Sequence, residues 1–275
     1  MTKKDLAQLR VALPDSHKGQ NGRLLIIGGS ELFHAASLWA LEVASRIVDL
    51  VHYASTPDNN DIAKVIKKQF RDGIVISRSD VDQYIEEDDC ILIGPGMTRD
   101  GETQELTNTL LRSYPTKQWV IDAGALQMMD LALIPPQAIL TPHHGEFTHL
   151  IANVNGQLKQ SIENAPIEEQ ISLFAKHYRC ILLVKGPKDI VVNTAGELRS
   201  IEGGNAGMTK GGTGDVLAGL IAALACKNDP FLATIAGSFI NKQAGDELYT
   251  SVGPFFNASD LARQIGPVMK QLFLL

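Results

Sequence analysis

The stretch richest in chemistry is Gly203-Gly204-Asn205-Ala206-Gly207-Met208-Thr209-Lys210-Gly211-Gly212-Thr213-Gly214-Asp215, which runs into an apolar helical pattern, Val216–Ala225. Glycines this close together let successive backbone N–H groups approach a ligand from one side, which makes an anion-binding nest. The helix behind them adds unpaired N-terminal amides and the positive end of its dipole. Together these features make a phosphate site. Asp215 does not fit that account by itself, because a carboxylate beside a bound phosphate is repelled. Two uses suit its position: a stabilising acidic charge in the first helical turn, or a general base beside a transferring phosphoryl group. The four glycine and threonine positions just before it favour the second. The commoner glycine signatures are missing: there is no Gly-x-x-x-x-Gly-Lys-Ser/Thr, and no Gly-x-Gly-x-x-Gly follows the first apolar run.

Residues of this kind need a scaffold, and the rest of the chain supplies an α/β one. Arg23–Ile27, Leu50–Ala54, Ile74–Ser77, Cys90–Ile93, Trp119–Ile121, Ala138–Leu140 and Ile181–Val184 are short apolar runs, most of them separated by helical patterns such as Ala35–Val48 and Asn60–Phe70. Continuous apolar strands alternating with helices predict a mostly parallel sheet covered on both faces. Ile181–Lys185 and Asp189–Asn193 are parted only by Gly186-Pro187-Lys188. So short a link demands an antiparallel hairpin, because parallel neighbours need a crossover of a dozen or so residues. Glu197–Ile201 follows as a further strand, and Thr213–Cys226, Pro230–Tyr249 and Ala258–Leu272 read as helices. Ligands of parallel sheets bind at the carboxyl ends of strands. That rule singles out the turns Gly28-Gly29-Ser30, Gly94-Pro95-Gly96, Asp122-Ala123-Gly124, Thr141-Pro142-His143 and Lys185-Gly186. No repeat or low-complexity linker breaks the pattern, so a single domain over residues 1–275 is expected, with residues 1–20 as an extension packed on its core. Asn153–Pro166, the longest unpatterned stretch, is expected to be a mobile surface segment.

Composition excludes several classes of function. A net charge of −6, a pI near 5.6 and scattered basic residues argue against a nucleic-acid surface. Cys90, Cys180 and Cys226 are far apart and show no Cys-x-x-Cys spacing, so buried free thiols are expected rather than a zinc site or disulfides. Met1–Gln20 has no apolar core of the signal-peptide kind, and no apolar stretch reaches the ~18 residues a membrane span needs. A cytoplasmic location is expected.

Gly211-Gly212-Thr213-Gly214-Asp215 resembles the anion-hole and catalytic-Asp motif of the ribokinase-like superfamily. Within it the chain resembles the ADP-dependent NAD(P)H-hydrate (NAD(P)HX) dehydratases. The likeness is carried by His17-Lys18-Gly19 through Ser30, Ile93-Gly94-Pro95-Gly96-Met97, Ile121-Asp122-Ala123, Thr141-Pro142-His143-His144-Gly145-Glu146, Lys185-Gly186, and Asn205 through Asp215. Many ribokinase-like kinases carry Asn-x-x-Glu near the phosphates, acting through Mg²⁺. Here His143 and Glu146 stand at those positions, in the dehydratase form of the motif.

The resemblance implies a three-layer α/β/α fold with a mostly parallel sheet and an antiparallel hairpin near one edge. It implies Asp215 as the catalytic residue, in contact with the hydrated nicotinamide. Ala36, Gly96 and His143 would also contact substrate. Lys185, Gly186, Pro187, Lys188 and Asp189, with Gly211, Gly212, Thr213 and Gly214, would bind the nucleotide, and Glu146 would act on Mg²⁺ indirectly. The chain departs from the family pattern at Ala35 (usually Gly), Ala206 (often Pro) and Asp189 (often Thr). An acid at 189 would face phosphate unless its side chain turns away.

The implied reaction regenerates NADH or NADPH from the S-form of its hydrate while ADP becomes AMP and phosphate. A homotetramer and a separate epimerase for the other epimer are implied as well. Two alternatives remain at this point: a small-molecule alcohol kinase of the same superfamily, and a non-catalytic adenine-nucleotide-binding protein.

Overall fold

The computed structural model describes residues 3–12 and 15–274; residues 1, 2, 13 and 14 of the expected N-terminal extension, and Leu275, lie outside them. The apolar runs form strands because a sheet covered on both faces buries both sets of alternating side chains. The strands are β1 (Arg23–Ile27), β2 (Leu50–Ser55), β3 (Ile74–Ser77), β4 (Cys90–Ile93), β5 (Gln118–Ile121), β6 (Ile139–Leu140), β7 (Ile181–Val184), β8 (Asp189–Val192) and β9 (Leu198–Ile201). They make one nine-stranded sheet in the order β3-β2-β1-β4-β5-β6-β7-β8-β9. Neighbours from β3 to β7 pair parallel, while β8 and β9 pair antiparallel, with Leu182 opposite Val192 and Asp189 opposite Ile201. The tight link after β7 thus gives the hairpin its shortness demands.

Strand alternation divides the core into two halves. Leu24, Ile26, Leu92 and Val120 face one side, against α2 (His34–Ala44), α10 (Thr213–Ala225), α11 (Pro230–Val252) and α12 (Ala258–Leu274). Leu25, Ile27, Ile91, Trp119 and Ile121 face the other, against α4 (Val81–Glu87), α5 (Gly101–Ser113), α6 (Ala123–Met128), α7 (His144–Ala152) and α9 (Ile167–Tyr178). The result is the expected three-layer sandwich. All three cysteines are free and buried, as expected. The first helix, α1 (Lys3–Gln8), leads to a buried Leu9, and Arg10 exchanges hydrogen bonds with the Asn228 side chain beyond α10.

Helix ends shifted for local reasons. Pro57-Asp58 opens the helix read over Asn60–Phe70, and α3 spans Pro57–Ile66: Pro57 suits the first helical position and the Thr56 hydroxyl accepts the Asn59 amide, while the helix stops short of Phe70. Asn153–Pro166, unpatterned in the sequence, contains a helix, α8 (Gly156–Glu163). Its apolar signal is one i,i+4 pair, Leu158 and a fully buried Ile162, too thin to stand out among Asn, Gln, Ser and Glu.

Candidate active site

The five turns picked out from the sequence meet at the carboxyl ends of β1, β4, β5, β6 and β7. The Gly29 amide donates to the Pro95 carbonyl at 2.7 Å, joining the turns after β1 and β4. Gly94, at φ +121°, lets that second turn pack on the Asp122 carbonyl, a contact any Cβ would block. After β6, His143 bridges to Lys185, whose amide donates to the Pro142 carbonyl at 2.8 Å. Ala36, from α2, and Gly96 come together here: a Cβ at Gly96 would lie 3.0 Å from the Ala36 methyl. The exposed Leu32 and Phe33 stand on the rim of this side.

The glycine-rich loop closes the cleft. Gly212 caps α10 at φ +97°, in the left-handed region, and its missing side chain lets the loop lie directly on the Trp39 ring and on Ala258. The first amide of α10 to find a carbonyl four residues back is that of Val216, on Gly212. Gly214 and Asp215 precede it in the first turn, where helix geometry leaves donors free. Thr213 uses its hydroxyl internally, on the Met208 carbonyl at 2.7 Å and the Lys210 carbonyl at 2.9 Å. Its amide also donates to the Lys210 carbonyl, at 3.4 Å, so the first-turn amides left for a ligand are those of Gly214 and Asp215. Gly211 borders open space.

One ammonium and three carboxylates meet at this mouth. The Lys185 Nζ donates to Asp122 Oδ1 at 2.9 Å and lies 4.0 Å from Glu146 Oε2. It is also 3.5 Å from where a Gly214 Cβ would sit, so it faces the start of α10. Burial opposes its charge, yet Asp122 and Glu146 outweigh that and hold its pKa above the ordinary lysine value. Half-buried Asp215 is the carboxyl left over: burial first, then the repulsion of Asp122, pushes its pKa up to about 7, against the pull of Lys185.

His143 and Glu146 form a reciprocal cap on α7. The Glu146 amide donates to His143 Nδ1 at 3.1 Å, and the His143 amide donates to Glu146 Oε2 at 2.8 Å. With Nδ1 an acceptor, the ring presents Nε2 as its donor, 3.6 Å from Glu146 Oε2, on a side chain that is 58% exposed. Gln127 donates to Glu146 Oε1 at 3.0 Å, so both Glu146 oxygens are engaged. Among the described residues no three His, Cys, Asp or Glu side chains are grouped to hold a metal ion.

Pro187 and Lys188 are exposed at the hairpin tip, but Asp189 is buried with its side chain turned inward. Its carboxylate accepts the Gly186 amide at 2.9 Å and the Ser238 hydroxyl at 2.7 Å. Sequence reasoning quoted Asp122 but gave it no role, and it missed Gln127 and Lys242 altogether. Asp122 had a usable signal, an acid directly after a strand; the other two are polar residues inside helical patterns.

The nine-stranded α/β/α sandwich, with a glycine-capped helix and an acid at the strand ends, has the ribokinase-like fold. The fold matches the ADP/ATP-dependent NAD(P)H-hydrate dehydratase of Bacillus subtilis, co-crystallized with ATP/Mg²⁺, with a TM-score of 0.80 at 23% identity, over 98% of this chain and 97% of that one. Residues 24–267 match the NAD(P)H-hydrate dehydratase family, and the chain belongs to it. It is 37% identical, over 97% of its length, to the bifunctional NAD(P)H-hydrate repair enzyme Nnr of Methanocaldococcus jannaschii, of which it covers 52%. It is 32% identical, over 92% of its length, to the ADP-dependent (S)-NAD(P)H-hydrate dehydratase of Xanthomonas campestris, of which it covers 89%. The chain thus spans about half the length of the bifunctional relatives. No described helix is long and apolar enough to cross a membrane.

Proposed function

We propose that this chain uses ADP to dehydrate the S-forms of NADHX and NADPHX, returning NADH and NADPH with release of AMP and phosphate. The observation that carries the reading is Asp215: a carboxyl with its pKa raised to about 7 beside the free amides that open α10 and next to Lys185. A base working near neutral pH needs such a pKa, and the amides supply what a terminal phosphate needs.

The chemistry is consistent with that arrangement. Hydroxide is a poor leaving group, and phosphate is a better one. Asp215 takes the proton of the ring hydroxyl as its oxygen attacks the β-phosphorus of ADP, and AMP departs. Amides of Gly211–Gly214 and the Lys185 ammonium stabilise charge gathering on the phosphoryl oxygens. The ring-nitrogen lone pair then expels phosphate with the former hydroxyl oxygen, and the adjacent ring carbon loses a proton to give the reduced nicotinamide. His143 offers its Nε2–H to the substrate amide or phosphate, while Ala36 and Gly96 leave space for the ring. The turn Lys185–Asp189 lies along the nucleotide, its shape fixed by the internal bonds of the Lys185 and Gly186 amides.

The donor chemistry at the cleft suits Mg²⁺, which takes one or two carboxylates together with phosphates and water. Both Glu146 oxygens are occupied, so Glu146 would reach a phosphate-borne ion through water. The ion would supply charge neutralisation on the phosphates. We further propose that residues 1–275 act as one cytoplasmic domain, assemble as a tetramer, and work beside an epimerase activity that handles the other epimer.

The test is absorbance at the reduced-nicotinamide band with hydrated NADH plus ADP or ATP. Recovery of NADH that depends on nucleotide and yields AMP from ADP is expected. A phosphorylated alcohol accumulating with no NADH would replace this reading with that of a kinase.

A further inference from the structure

Lys242 lies in the middle of α11 and is 5% exposed, a depth at which an ammonium needs partners. It has four. Its Nζ donates to the carbonyls of Gly186 at 3.0 Å, Pro187 at 3.1 Å and Gly203 at 3.1 Å, and lies 3.4 Å from Asp189 Oδ1. Those carbonyls belong to two separate stretches: the β7–β8 turn, and the start of the glycine-rich loop that ends in Asp215. One helical turn further on, Asp246 continues the work by accepting the Gly204 amide and the Asn205 side-chain amide, both at 3.0 Å. The loop hugs the lysine stem so closely that a Cβ on Gly204, at φ +80°, would lie 3.4 Å from Lys242 Cγ.

We infer that Lys242 is a positioning residue for the nucleotide: it ties the β7–β8 turn to the glycine-rich loop and so sets the width of the slot between them. An ammonium suits the task because its three N–H groups can donate to carbonyls arriving from different directions. Asp189 balances its charge, so the clamp acts by geometry and not by attracting phosphate. This also accounts for the acid at 189, whose carboxylate serves the clamp from inside the turn. The inference rests on the nucleotide reading of Lys185–Asp189.

Two variants test it, Lys242→Met and the double variant Asp189→Asn/Lys242→Met. The second removes both buried charges at nearly constant volume, and so covers the case in which the first does not fold. Calorimetric titration with ADP and amide hydrogen exchange of Gly186, Lys188 and residues 203–205 are read on folded protein. We expect ADP binding weaker by roughly tenfold or more, the reach of hydrogen bonds to a charged group, together with faster exchange in both stretches. KM for ADP should rise with kcat largely kept, and the pH profile of turnover should not move. A folded double variant with wild-type ADP affinity and unaltered exchange would overturn the inference. A wild-type protein that binds ADP but recovers no NADH would remove the proposed reaction, while affinity and exchange would still decide the clamp.

Discussion

Two lysines frame the β7–β8 turn, and they are solvated by protein in opposite ways. Lys242 faces three carbonyls and a single carboxylate, so its donors are used and its charge is cancelled. Lys185 faces Asp122 and Glu146, with Asp215 close by, and one ammonium does not neutralise three carboxylates. Burial, joined by the repulsion of Asp122, lifts the pKa of Asp215 to about 7, and the pull of Lys185 offsets this only in part. A saturated, balanced cluster holds chain in place. An unbalanced one at the mouth of a cleft keeps a proton ready to move, which is why perturbed acids gather where chemistry happens.

Several changes would break or sharpen that contrast. Lys185→Met removes the only cation from the unbalanced cluster and strands the buried Asp122. Loss of one member of a buried pair costs roughly 3–5 kcal/mol, and denaturant unfolding should show a drop of that order. Asp215→Asn keeps shape but removes the base, and NADH recovery from its hydrate should fall on the order of 10²-fold or more. Near-wild-type turnover in that variant would dismiss Asp215 from the chemistry.

The same substitution should act on stability with the opposite sign. The folded Asp215 keeps its proton up to a pH near 7, whereas the unfolded chain releases it near 3.8. Folding therefore loses stability as pH rises between those values, and the full cost applies above 7. Asn carries no such cost, so Asp215→Asn should be the more stable protein at pH 8, by roughly 1–3 kcal/mol after allowance for partial exposure. The gain should fade toward pH 4, and melting temperatures across that range would show it. Wild-type turnover should rise with pH through about 7 as the base ionises. Asp122→Asn, the mildest change, should move that acid limb to lower pH, because it removes the repulsion next in size to burial. An unmoved limb would mean that Asp122 does not set the proton affinity of the site.

The legible parts were those whose signal is short in sequence. Runs such as Cys90–Ile93 and Ile181–Val184 declare buried strands, and Gly186-Pro187-Lys188 declares a hairpin by length alone. The glycine cup and Asp215 are contiguous, so their chemistry could be read off thirteen neighbouring residues. Helix α8 escaped because two apolar residues make too faint a period. Lys242 escaped because nothing in a helical pattern tells a buried cation from a solvated one.

By itself, then, the order of residues determined the strand-and-helix alternation, the antiparallel end of the sheet, and the presence of an acid behind a phosphate-binding turn. Tertiary structure alone decided how that acid titrates and which way Asp189 points. Hydrophobic period and turn chemistry act over a few residues and leave a local trace. The potential at Asp215 sums charges delivered by β5, α7 and β7 from far along the chain, and their distances exist only once the sheet has brought its carboxyl ends together.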